Sequence, residues 1–496
     1  MAGTMKRRFT TGPVIAFIAV LAVAANNVRA ADLPDWPTFD GTASRAGSVD
    51  DRSFRTSNVA SLQRRWVATL ERGADSTPIV LAHVPGRSSA HPLIVQTDTG
   101  GTTYGIDGSS GKILWRFATT GPKITASTPV ADPSERFVYV PAVDGRVHKL
   151  AAVTGKEVRE HGFPTAITRM PDVEKVASPL NLANGYLYAV TSGYIGDAGP
   201  YDGHVVAIRL SDGTAHVLNS LCSNEHMLLL DTSYDPHSPH ACPQQRSGIW
   251  ARGGAVVDPD PAQHGRIYVA TGNGAFDANH GGHNFGDSAL IIDADGSKVE
   301  QYFTPKNFAE LESTDADLGS TAPALLPREP RSHTPLLAVQ GGKGRVLHLL
   351  DRMHFGGVGG ALQNVDLPDE LFTAPAVSRD ASGKTSLYLG FLPGDTGVTA
   401  YRLVTDGAGR SRLEHRWTSD AHGTSPVVSN GVVFVAASGA LSALDAQTGK
   451  RLWSSRDANA GGTIGDIHWQ SPVAVNGWVY CSDEDRHLTA YALSRR

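Results

Sequence analysis

A proline that returns about every fifty residues most constrains how this chain can fold. Each copy follows a small residue and opens an apolar run: Thr77-Pro78, Thr128-Pro129, Ser178-Pro179, Ala322-Pro323, Ala374-Pro375, Ser425-Pro426 and Ser471-Pro472. Successive prolines lie 51, 50, 144, 52, 51 and 46 residues apart. The long gap holds two units, the second opening at Gly253-Gly254 without its proline. Eight units result. Such a period marks a repeat architecture, in which no unit buries its apolar face alone and each stacks on the next.

Each unit has the same anatomy. A second apolar run follows the opener, at 137–140, 186–190, 268–270, 432–436 and 478–481. A third run ends in Asp or its equivalent, a turn and Gly, at 104–112, 148–156, 206–213, 290–296 and 441–450. A fourth often carries Trp, as in 113–117, 415–417 and 451–453. Four short strands per repeat predict a propeller blade. The 53 glycines and 29 prolines supply the turns such a chain needs. The last unit ends at Arg496 with only three strands, while the run 62–70, with Trp66, is an orphan of fourth-strand character. The expected fold is all-β: an eight-bladed propeller over 61–496, with four-stranded antiparallel blades and the N-terminal strand completing the last. Closure leaves few open edges, which suits a monomer.

The beginning of the chain reads as a targeting signal. Lys6-Arg7-Arg8 precede an apolar run at 13–25, and Val28-Arg29-Ala30 places small residues for cleavage before Ala31. The run is shorter than the ~20 residues that span a bilayer. The expectation is a cleaved signal peptide, 1–30, a periplasmic or secreted protein, and no stable membrane insertion after cleavage. Residues 31–60 form a polar, irregular extension. A net charge of −5, with no basic excess, argues against a nucleic-acid partner.

Export implies an oxidising compartment. Cys222 and Cys242 therefore read as a disulfide closing a 19-residue loop. Metal binding with His237 and His240 is the alternative, although the spacing fits no standard zinc pattern, and a third possibility is that neither forms. Cys481, in WVYCS, reads as a buried free thiol.

The stretch 247–320 departs from the plain repeat. Its strand-like runs at 255–257 and 266–270 end in clusters of Gly, Asn and Asp, and 277–287 is a Gly/His-rich insert carrying His280 and His283. Polar groups held at the ends of rigid strands are a common way to build a site.

The unit A-x-D-x-x-T-G-x-x-x-W at 443–453, with a looser copy at 104–115, resembles the tryptophan-docking repeat of quinoprotein (PQQ-type) β-propellers. The entry DWPTFDGTASRAG followed by NVASLQRRW resembles theirs too, and the likeness runs over about 35–496. The segment around TDADLGS is similar to the polyvinyl-alcohol-dehydrogenase-like branch. The resemblance implies a PQQ cofactor with calcium or a lanthanide ion, and an alcohol or polyol substrate, polymeric or small. It matches Asn273, in YVATGNG, to a metal-ligand amide; Asp315, 42 residues on and beside Asp317, to a catalytic base; and Lys343, in GGKGRVLHLLD, to a quinone contact. A hard cation takes oxygen ligands, a carboxylate accepts the alcohol proton, and a lysine steadies charge on quinone oxygens.

Three positions depart from the pattern. No Glu occurs in TSGYIGDAGPYDG, so Asp197, and next Asp202, stands in as a metal ligand. The quinone-stacking tryptophan aligns with Arg252, and Trp250 lies two residues away. The adjacent-cysteine disulfide is missing. No CxxCH occurs, so haem is not expected and the electron acceptor is a separate protein. The family fold also hosts cofactor-free scaffolds, so the alternative is a periplasmic binding or assembly propeller presenting 222–242 and 277–287. Fold does not imply function.

Overall fold

The computed structural model describes residues 1, 3, 34–87, 91–197, 199–230 and 242–494. The leader beyond those two residues lies outside them, as do His237 and His240.

The strands form eight sheets, each built on four antiparallel strands. Seven blades come from consecutive segments. In the first, Ile79–Leu81, Leu93–Thr97, Thr102–Asp107 and Ile113–Ala118 pair in chain order. The eighth is composite. Val473–Val475, Trp478–Ser482 and His487–Leu493 supply three strands, and Leu62–Thr69 pairs antiparallel with the last, Leu62 facing Leu493 and Thr69 facing His487. The orphan strand thus closes the ring, as its sequence predicts. Among the described residues no helix is long and apolar enough to cross a membrane.

The repeat motif has a physical explanation. Fourth-strand tryptophans dock on the next blade: Trp66 Nε1 donates to Gly108 O (3.1 Å), Trp115 to Ala152 O (3.0 Å), Trp417 to Ala446 O (3.3 Å) and Trp453 to Leu62 O (3.1 Å). Three of these indoles lie on a turn glycine of the neighbouring blade: Trp66 on Gly111, Trp115 on Gly155 and Trp417 on Gly449. A Cβ on Gly155 would stand 2.4 Å from the Trp115 ring, and Gly155 also has a φ of +67°. Close approach and left-handed backbone both demand glycine there.

The segment before the closing strand is irregular but not peripheral. It crosses the ring on its inner strands. Trp36 pairs with Val80 of the first blade, Ala43 O accepts from Val257 of the fourth, and Ser48–Val49 lies parallel to Val427–Ser429 of the seventh. Trp36, Phe39 and Phe54 are fully buried. Arg45 donates to Phe39 O, Leu180 O and Gly253 O, tying the segment to the third blade and again to the fourth. This stretch fastens blades that are distant in sequence.

Candidate functional site

Loops that precede first strands, or follow second strands, meet in a central cavity of about 610 Å³. Its wall includes Asp197, Trp250, Arg252, Asp315, Asp317 and Lys343. Asn273 lies against the same group. Its backbone N–H donates to Asp317 Oδ1 (2.7 Å) and its Nδ2 to Asp315 Oδ1 (3.0 Å). Lys343 Nζ reaches Asp317 Oδ2 at 2.5 Å and Asp315 Oδ2 at 3.2 Å, and donates to Asp315 O at 3.0 Å. The structure therefore brings Asn273, Asp315 and Lys343 together, with Asp317 at the centre.

Local backbone fixes this arrangement. Asp315 terminates the helix Phe308–Thr314 in left-handed conformation (φ 56°), its N–H donating to Leu311 O. Aspartate tolerates that region better than most residues. The side chain of Asp315 is 72% exposed, whereas that of Asp317 is 9% exposed. Burial pushes the Asp317 carboxyl above its ordinary range, and Lys343 only partly offsets this. For Lys343, burial acts downward, but the ion pairs with Asp317 and Asp315 outweigh it and hold the ammonium above its usual value.

Asn273 Oδ1 is buried and accepts no hydrogen bond from the described residues. A buried amide oxygen left without a donor is costly and suits a hard cation. Trp250, Phe372 and Trp469 form an aromatic wall, with ring centroids 6.0–6.2 Å apart. Lys343 Nζ stands 5.5 Å from the Trp250 ring.

The remaining sequence candidates stand outside the Asn273–Asp315–Lys343 group, on other parts of the wall or away from it. Arg252 is buried beneath the cavity, donating to Ala126 O and Asp75 O, with its guanidinium 5.9 Å from the Trp469 ring. Burial lowers its pKa to about 10. Asp197 is exposed, and its Oδ1 accepts from Tyr201 Oη at 2.7 Å. The third blade does hold a glutamate, supplied from upstream. Glu174, on the added strand Glu174–Val176, is 2% exposed and spends its oxygens on Asp202 N–H and Thr168 Oγ1. Cys222 and Cys242 form the expected disulfide, and Cys481 is buried and free. His280 and His283 are exposed.

Sequence reasoning missed Asp287, which braces the site from behind. Its N–H donates to Gly272 O and its Oδ1 accepts from Leu318 N–H (3.0 Å), so it joins the two loops bearing Asn273 and Asp317. Burial, then the neighbouring Asp317 charge, raises its pKa to about 7. An acid raised in the folded state costs nothing while the unfolded chain is also protonated. The cost grows as pH climbs from about 4 to about 7 and is constant above. It is bounded at roughly 4 kcal/mol. Asp287→Asn is therefore expected to raise Tm at pH 8 and to change it little at pH 4. A calorimetric pH series checks this, and a pH-independent shift contradicts it.

The family described as outer membrane protein assembly factor BamB (PQQ_2) matches residues 55–231 and 396–495, together more than half of the chain. Quinohemoprotein alcohol dehydrogenase of Comamonas testosteroni is 32% identical over 162 residues, covering 30% of this chain and 21% of that protein. The matched stretch is thus about a fifth of that relative. Its crystal structure superimposes with a TM-score of 0.62 at 15% identity, over 95% of this chain and 82% of that one. A europium-containing methanol dehydrogenase gives 0.61 at 15% identity, over 93% and 98%. BamB of Moraxella catarrhalis gives 0.50 at 13% identity, over 87% and 100%. At these identities the structural likeness is one of fold. The docked tryptophans, the eight-sheet ring and the sequence match agree: this chain belongs to the PQQ-type β-propeller family.

Proposed function

We propose that the protein is an exported, quinone-dependent oxidoreductase of alcohol or polyol substrates, with PQQ and a calcium or lanthanide ion as its cofactors. The observation that carries this reading is the convergence of Asp315, Asp317 and Lys343 on one aromatic-walled cavity, with Asn273 hydrogen-bonded to both aspartates. The cavity is large enough for a planar ring system.

The residues present fit these groups. The orphaned Oδ1 of Asn273 is the acceptor a hard cation needs, and Asp197, on the same cavity wall, is the second oxygen donor in this reading. Trp250 offers a face for the ring, with Arg252 beneath, and Lys343 provides positive charge beside it. When bound, the quinone supplies the hydride-accepting chemistry that side chains lack. The chain's own work is acid–base and positional. Asp315 is the proton acceptor for the substrate hydroxyl, being the exposed member of the carboxylate pair. Asn273 Nδ2 holds its Oδ1 in place. Asp317, buried and paired with Lys343, sets the position of the ammonium. A separate acceptor takes the electrons.

Asp315→Asn keeps the shape and removes the base. In protein loaded with PQQ and calcium, we expect dye-linked alcohol turnover to fall on the order of 10²–10⁴-fold. Turnover within a factor of three of the parent sinks the assignment. The family's scaffold description supports a second reading, a cofactor-free assembly propeller. That reading expects neither cofactor binding nor turnover.

A further inference from the structure

The two aspartates beside Lys343 form one closely bonded group of the cavity. Both oxygens of Asp317 and both of Asp315 already accept from Asn273 or Lys343. Another part of the wall is differently equipped. His468, in the loop before the eighth blade, is the one histidine among the described lining residues, and its side chain is 43% exposed. Its Nδ1 lies 2.9 Å from Oδ1 of Asp75, a carboxylate that is 9% exposed. A carboxylate at Nδ1 fixes the proton there and leaves Nε2 as an acceptor. Nε2 has no partner among the described residues.

The support for this ring is built, not incidental. His468 N–H donates to Gln470 Oε1 (2.7 Å), and Gln470 Nε2 donates to Glu484 Oε1 (3.0 Å). Ile467 N–H is held by Ser438 Oγ (3.0 Å), and the ring packs 4.7 Å from Trp469. The charged groups facing Asp75 are Glu484, Arg252 and Lys175. Asp466, Asp483 and Asp485 lie on the neighbouring turns. Burial, then the nearby Asp75 carboxylate, pushes the Glu484 carboxyl up to about 8. Burial acts upward on Asp75 too, but hydrogen bonds from His468 and Glu484 outweigh it and keep it ionised.

We propose that His468 is a second proton-transfer group of this cavity, with Asp75 as its positioning residue. A ligand hydroxyl gives its proton to Nε2: the O–H bond breaks, an N–H bond forms, and Asp75 balances the imidazolium charge. The proton leaves to water from the exposed ring. This rests on the oxidoreductase reading for its substrate, but the dyad itself is testable without any cofactor.

Diethyl pyrocarbonate acylates neutral imidazole, and mass spectrometry locates the product. In the resting protein His468 is expected to be modified. Asp75→Asn removes the carboxylate that holds the ring nitrogen Nδ1, so acylation at Nε2 should slow at least three-fold. A His468 that is unreactive overturns the proposal, as does an acylation rate unmoved in well-folded Asp75→Asn. If that variant does not fold, reactivity of His468 in the parent protein still decides. In protein loaded with PQQ and calcium, His468→Gln should lower kcat at neutral pH at least 100-fold while leaving cofactor Kd within a factor of three. A loss under three-fold in kcat, with Asp315→Asn inactive, overturns the His468 assignment and leaves the oxidoreductase reading standing. Failure to bind PQQ defeats that reading alone, and the labelling result stands by itself.

Discussion

Removing residues 62–69 should abolish cooperative folding. These residues are the eighth blade's outer strand, and their register with His487–Leu493 is the seam of the ring. Without them His487–Leu493 becomes a raw edge, a ready template for association. Both flanking tryptophan docks fail as well. Trp66 no longer reaches Gly108, and Trp453 loses the Leu62 carbonyl it donates to. The milder change Trp66→Ala keeps the strand but empties a site in which the indole is 9% exposed and packs against Tyr480. Truncations of this size cost about 3–5 kcal/mol. Circular dichroism and denaturant unfolding should show an aggregated or molten product for the deletion, and a lowered midpoint with unchanged m for Trp66→Ala. A deletion that melts like the parent contradicts the closure.

Lys343→Met should have the largest effect at the site. The ammonium is 15% exposed and is shared by two carboxylates. Replacing it leaves Asp317 buried without its countercharge. Breaking a buried pair on one side costs about 3–5 kcal/mol; a value near the lower end is expected here because Asp315 is exposed. The Asp317 carboxyl, already raised by burial, should rise further. In the proposed function the same change removes positive charge beside the ring site, so PQQ affinity should drop at least 100-fold. Thermal melting with and without PQQ separates the two effects: a lowered Tm without ligand reports the ion pair, and a lost ligand-induced increment reports binding. A Tm equal to the parent's in both conditions contradicts both roles.

The fold was legible because its physics is local and repeated. The recurring proline, the Asp-turn-Gly and the tryptophan each serve one blade junction, so their spacing appears directly in the chain. The seam was legible because the last unit lacks a strand that the first segment has to spare. The extension before residue 60 was not. Its polar appearance gave no sign that Trp36, Phe39 and Arg45 would be buried, because their burial depends on crossing the inner strands of several blades.

Within the site, Asn273, Asp315 and Lys343 stood out through the resemblance to quinoprotein propellers. Their company did not. Asp287 resembles any turn aspartate in sequence, and only the meeting of two loops makes it a brace. His468 and Asp75 are 393 residues apart and are joined solely by ring closure. Phe372 and Trp469 likewise come from different blades, and no linear pattern predicts that they share a wall with Trp250. Glu174 reached the third blade as an added strand, outside the segment that sequence alignment would search.

The central claim is that this cavity holds a quinone and a hard cation. The most direct measurement is a titration of the purified protein with PQQ, with and without calcium or a lanthanide, followed by absorbance and by melting temperature. A ligand bound only by the native state must raise apparent stability, by about 2.7 kcal/mol at a hundred times its Kd. The account predicts saturable, metal-dependent binding with a matching rise in Tm, both lost in Lys343→Met. Absorbance and Tm that do not change at millimolar PQQ, with either metal present, would contradict it and favour the scaffold reading.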